Sequence, residues 1–186
     1  MAISCANVHA AIGEFQRTYI YKLFFESVPT VVSAAFPNAI SFSAKVDLYN
    51  NNAVWPNRKT NAIEVKWGGE FFHIPGTDAS KRDQEFSFFD DQPQWVYDFF
   101  SALKDLTGNE INQAGVVGTA SKFNIGIAKV SVDKETITAY RRLVGCRVYG
   151  VESDEISKEG DQVSHLKVDI HWDRNQDVPD KRGKKV

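Results

Sequence analysis

The sequence predicts a mainly β fold: an antiparallel or mixed β-sandwich or barrel-like arrangement of about eight strands around one amphipathic α-helix at about 91–107. Three observations predict it. Several runs alternate apolar and polar residues with period two, ISFSAKVDL (40–48) and VSHLKVDIHW (163–172) most cleanly. One segment alone switches to a spacing of three and four. Strands and helices do not alternate along the chain, which argues against a parallel sheet.

Each element has its own signal. YIYKLFFES (19–27) reads as a strand that ends at Pro29. In 40–48, Phe42, Ala44, Val46 and Leu48 face one way and Ser41, Ser43, Lys45 and Asp47 the other. YNNNAVWPNRKT (49–60) is a loop, rich in Asn and carrying Trp55. NAIEVKW (61–67) alternates again, with Ile63, Val65 and Trp67 on one face. Gly68-Gly69 is a hairpin signal before EFFHI (70–74), and Pro75-Gly76 opens a polar loop. QEFSFF (84–89) is a further strand.

The helix follows. Trp95, Val96, Phe99, Phe100, Leu103 and Leu106 make one stripe. Asp90 or Asp91 is placed to cap its start, Pro93 to sit in its first turn, and Gly108 to follow its end. NQAGVVGTAS (112–121) is a small-residue linker. KFNIGIAKV (122–130), ETITAYRRL (135–143) and VGCRVYGVE (144–152) read as strands, and SDEISKEGDQ (153–162) as a polar connection. In 163–172, Leu166, Val168, Ile170 and Trp172 point inward, with His165, Lys167, Asp169 and His171 outward. The chain therefore divides into an N-terminal arm (1–18), one domain (19–175) and a basic tail (176–186), expected to be mobile.

Composition is that of an ordinary globular protein: 186 residues, 42% hydrophobic, 25% charged, net charge -2. No global field draws it to nucleic acid. No run of 18 apolar residues marks a membrane helix. The first residues lack a secretory pattern, so both thiols, Cys5 and Cys146, are expected to start reduced in a cytosol.

A search for chemistry finds none. No loop has a phosphate-cradling pattern, and no Ser or Cys sits in a nucleophile elbow. Gly115-Val-Val-Gly118 lacks the flanking helices of a nucleic-acid clamp. His165 and His171 lie six residues apart, about 20 Å along a strand, too far for one metal. Asp169 and His171 lack a third ligand nearby in sequence. Cys146 is flanked by Arg142 and Arg147, which are expected to lower its pKa somewhat. It has no base beside it, so it reads as a buried structural thiol or a crosslink. The expectation is a protein with no catalytic residue, metal or cofactor.

The order of elements, with the stretch Gly145-Cys146-Arg147-Val148-Tyr149-Gly150-Val151, the acidic connection and the strand from Val163 to Trp172 and Asp173, resembles one family. It is the tail tube proteins of contractile-tailed bacteriophages, similar to the tubes of type VI secretion systems. Trp95 and Tyr97 at the helix start fit as well. The resemblance covers about 19–175.

The resemblance implies a structural virion protein that assembles in a host cytoplasm into stacked hexameric rings. Its partners would be itself, a contractile sheath, and baseplate and terminator proteins. Double-stranded DNA would pass through the lumen without specific binding. A tube-like baseplate, terminator or secretion protein is the alternative. From another class, a monomeric carbohydrate-binding module would use Tyr49, Trp55 and Trp67 as a sugar platform. Within the tube reading, Tyr49, Asn51, Trp55 and Arg58 of the long loop are expected to reach a neighbouring subunit or ring. An intersubunit disulfide between Cys5 and Cys146 is expected to form once the particle leaves the reducing cytosol.

Overall fold

The computed structural model describes residues 21–36, 50–53, 55–57, 59–67, 69–78, 80–89, 94–108, 115, 118–132, 135–153 and 165–185. The strand expected at 40–48, the arm at 1–18, and Asp90, Asp91 and Pro93 lie outside these residues. Among the described residues the strands are β1 (Tyr21–Ser27), β2 (Asn50–Asn52), β3 (Thr60–Trp67), β4 (Glu70–Asp78) and β5 (Asp83–Phe89). They continue with β6 (Phe123–Val130), β7 (Ile137–Ser153), β8 (His165–His171) and β9 (Arg174–Asp177). The helices are α1 (Thr30–Ala35) and α2 (Trp95–Thr107).

All pairings are antiparallel. The main sheet runs β1-β6-β7-β8-β5-β2, with β9 added beside β7, and β3-β4 forms a hairpin of its own. The path curls on itself. Its two end strands meet where the Tyr21 hydroxyl donates to Asn50 Oδ1 at 2.6 Å. The result is the mainly β, barrel-like architecture that the alternation predicts.

The long strand β7 makes the curl possible. The sequence reads as two strands, 135–143 and 144–152, but one strand of 17 residues spans both. It changes partners midway: Arg141–Val144 pair with β9 and Arg147–Ser153 with β8. Gly145 sits at this corner with φ +72, a left-handed conformation that glycine adopts without a steric penalty. A Cβ there would also collide with the Asp173 carboxylate. Asp173 is fixed by Lys122 at 2.6 Å and by its own amide donating to the Val144 carbonyl at 3.0 Å. The Gly145 amide in turn donates to Asn124 Oδ1 at 3.1 Å.

Helix α2 fills the inside of the curl. Val96, Phe99, Phe100 and Leu103 of its stripe are buried, and Trp95 and Leu106 pack partly buried at its ends. Phe100 meets Phe88 of β5 at 4.7 Å between ring centroids, and Phe99 meets Phe25 of β1 at 5.6 Å. The helix thus ties both ends of the strand path to one aromatic core. Each such ring contributes about 2–3 kcal/mol by burial. In β8 the alternation holds as read: Leu166, Val168 and Ile170 are fully buried between exposed Lys167, Asp169 and His171. The cap differs from expectation. Gln94, in a left-handed conformation and without a side-chain cap bond, precedes the helix.

The stretch read as a basic tail (176–186) bonds to the body through residue 185. β9 pairs with β7, and residues beyond it stay pinned to β7 by backbone bonds. Ladder bonds need no side-chain period, so the sequence pattern gives no sign of them.

Candidate assembly surfaces

Hairpin β3-β4 is the chief exposed feature. Its register places Ile63 opposite Ile74 and Val65 opposite Phe72, with Trp67 at the turn end of the same face. Every residue of β3 is exposed, Trp67 at 77% and Ile63 at 52%. The shared face of Ile63, Val65 and Trp67 therefore has no core beneath it among the described residues. β4 is longer than the expected 70–74, and runs through Pro75 and Gly76 to Asp78. Proline is tolerated because β4 is an edge strand. On the opposite face, Glu64 stands across from His73, and Lys66 Nζ lies 5.5 Å from the Phe71 ring centre.

The base of the hairpin is fixed to the body. Ser80 donates to Asp78 Oδ1 through its amide at 2.9 Å and its hydroxyl at 2.5 Å. These bonds, then Arg82, hold the Asp78 carboxyl below its ordinary range. Arg82 bridges to Asp78 at 3.1 Å and donates to the Asp173 carbonyl at 2.8 Å. The hairpin is rooted, yet its apolar face is bare among the described residues. Sequence reasoning missed this exposure, although one signal was present. The doublet Phe71-Phe72 breaks alternation, so β4 has apolar groups on both faces, unlike a strand lying on a core.

Trp55 behaves in the opposite way. It is half-buried against the main core. Lys129 Nζ lies 4.6 Å from its ring centre and Arg141 Cζ 5.0 Å. Arg141 also donates to the Pro56 carbonyl, and to Asp177 at 2.9 Å. Asn175 donates to the Asn57 carbonyl at 3.2 Å. Residues 55–57 brace the body internally, and the part of Trp55 that faces the core is engaged by its own chain. Apolar burial and two cations on the same chain already engage the indole. Asn51 is exposed on β2; Tyr49 and Arg58 lie outside the described residues. Of the aromatics read as a sugar platform, Trp55 lies on the body and Trp67 on the hairpin.

Cys146 is fully buried within the main core, one residue after the Gly145 corner. Its thiol donates to the Leu143 carbonyl at 3.4 Å. Burial pushes it up to about 12, against the downward shift expected from Arg142 and Arg147. Those arginines are occupied elsewhere or too weak to offset desolvation: Arg142 of β7 pairs with Glu26 of β1. A bridge to a neighbour's Cys5 requires a surface thiol, and Cys146 is interior; Cys5 lies outside the described residues.

The outer side of β5, β8 and the second half of β7 is a polar, acid-rich surface. Glu85 lies directly opposite Asp169, and Glu152 opposite Lys167. Asp83 and Arg147 flank His171 on either side. Tyr149 and His171 rings lie 4.3 Å apart. Among the described residues no group of three or more His, Cys, Asp or Glu is placed to hold a metal ion, and no helix is long and apolar enough to cross a membrane.

No family model matches the sequence, and no curated protein matches it. Solved structures do share its fold. The sheath/tube terminator of an extracellular contractile injection system, in the extended state, superposes with a TM-score of 0.61 at 12% identity, covering 90% of this chain and 99% of that one. The tube-terminating cap of the anti-feeding prophage gives 0.60 at 15% identity, over 89% of this chain and 92% of that one. The sheath-tube complex of the injection system gives 0.55 at 14% identity, over 95% and 100%. The fold is thus that of tube and terminator components of contractile tail systems, as the order of elements implies.

Proposed function

We propose that the chain is a structural, non-catalytic subunit of a contractile tail, which assembles into stacked hexameric rings that form the tube inside a sheath. One observation carries this reading: among the described residues nothing covers the apolar face of Ile63, Val65, Trp67, Phe72 and Ile74 on the rooted β3-β4 hairpin. A two-stranded hairpin is marginal alone in water, and an exposed apolar face of this kind marks an interaction site. In a ring, a second copy covers it. The shared fold with tube and terminator structures supports the same conclusion.

The acid-rich face around Glu85 and Asp169 suits a conduit, since it has no basic stripe for a DNA backbone to grip. Two of the three neighbours described are terminators or caps, which favours a tube-end position as the second reading. Negative-stain microscopy of the purified chain separates the two. Long tubes are expected for the main tube subunit, and isolated six-fold rings for a terminator. A strict monomer at high concentration overturns both.

A further inference from the structure

The outer side of the first half of the sheet carries a groove of about 310 Å³ that the assembly reading does not use. Its floor is apolar: Phe24 of β1 with Ile137 and Tyr140 of β7. Its rim is Lys181, Lys184 and Lys185 from the closing segment. The rim is built and held. Gly183 turns with φ +74, its amide donates to the Ile137 carbonyl at 2.8 Å, and the Ile137 amide donates to the Lys184 carbonyl at 3.0 Å. Lys185 forms a bridge with Thr136. These bonds involve backbone only, so the three lysine side chains remain exposed around one concavity.

The local acid is already engaged. Glu26 accepts from Arg142 through both carboxylate oxygens and from the Tyr140 hydroxyl at 2.7 Å. None of the three lysines has an ion-pair partner among the described residues; Lys181 lies 5.6 Å from the Tyr140 ring centre. Among the described residues the groove therefore combines lysines without an ion-pair partner with an aromatic and aliphatic floor.

We infer that this groove docks an acidic segment of a partner protein, anchored by one aromatic or aliphatic side chain. The anchor enters between Phe24, Ile137 and Tyr140, and flanking carboxylates meet the lysines. A nucleic-acid backbone fits less well. It would satisfy the lysines and leave the apolar floor uncovered, and it tracks a stripe of charge rather than a pocket. None of the groove's lining residues belongs to the hairpin.

The test uses the purified full chain and fluorescein-labelled peptides followed by anisotropy. The probe is Glu-Glu-Phe-Glu-Glu, with a Gln-Gln-Phe-Gln-Gln and a Glu-Glu-Ala-Glu-Glu control. Saturable binding of the probe is expected, with both controls about tenfold weaker or worse. The double variant K184E/K185E should lose at least as much, and added salt should weaken the wild-type interaction. Thermal melting establishes that the variant is folded; if it is not, K181Q/K185Q replaces it, because it removes charge without reversing it. Three results overturn the inference: no saturable binding, equal binding of the Glu and Gln peptides, or a short DNA duplex that displaces the probe more effectively than the unlabelled peptide. Microscopy of the same variant distinguishes the groove from the assembly surface. Rings retained with peptide binding lost support a separate partner site. Rings and binding lost together make a second copy the occupant and overturn it.

Discussion

The body of the protein and its β3-β4 hairpin are built from the same kind of alternating strand and reach opposite ends. β8 buries Leu166, Val168 and Ile170 completely. β3 has Ile63, Val65 and Trp67 at the same spacing and buries none of them. The difference is what lies over the apolar face. β8 pairs on both sides, with β5 and β7, and shares its core with α2. Among the described residues β3 pairs only with β4. The comparison teaches that an amphipathic strand specifies a face to be covered, while its surroundings decide whether the same chain or another molecule covers it.

Truncation in the body should show this contrast most strongly. Phe100→Ala removes a fully buried ring between α2 and β5 and should cost the isolated subunit about 3–5 kcal/mol, read by denaturant unfolding. Gly145→Val attacks the corner of β7. It forces a β-branched residue to positive φ and pushes it into Asp173, so a loss of about 2–3 kcal/mol is expected. An unchanged midpoint would show that the corner is not needed for the curl.

The hairpin should respond in reverse. Trp67→Ser with Phe72→Ser should leave the unfolding free energy of the subunit within about 0.5 kcal/mol while it abolishes rings or tubes in micrographs. Assembly that survives this pair of changes would break the comparison, since the bare face would then have no use in it.

The smallest effect belongs to Cys146. Its thiol titrates at about 12 in the folded chain and near 9 when unfolded. The folded state thus holds its proton more tightly, and the stabilisation is fully present below pH 9. It declines as pH rises from there toward the folded value. Melting temperature should be insensitive to this group at neutral pH and should fall in a window above pH 9, a fall that Cys146→Ala removes. Iodoacetamide should modify the native thiol far more slowly than the thiol in urea.

Much of the body was legible because its signals are periodic. The stripe Val96, Phe99, Phe100 and Leu103 names a helix and its buried face at once. Leu166, Val168, Ile170 and Trp172 do the same for β8. The β7 corner was half legible: the division between 135–143 and 144–152 falls beside Gly145, where the strand turns without ending. The surfaces were harder. Trp55 looked free because it lies in an Asn-rich loop, and nothing in its neighbourhood points to Lys129 or Arg141. Cys146 reads as a buried structural thiol or a crosslink with a somewhat lowered pKa, and burial reverses the sense of that shift. The groove rim was invisible, since a basic tail has the same composition whether it is loose or pinned.

The sequence by itself determined the β-rich class, the single core helix and the polar or apolar sense of each strand face. These follow from backbone geometry, which repeats every two or every 3.6 residues whatever the surroundings. Only the tertiary structure decided which apolar faces meet each other, which loop becomes a brace, where three lysines converge and which hairpin is left uncovered. Those outcomes depend on contacts between residues far apart in the chain, such as Arg141 with Pro56 and Glu26 with Arg142, and local pattern contains no record of them.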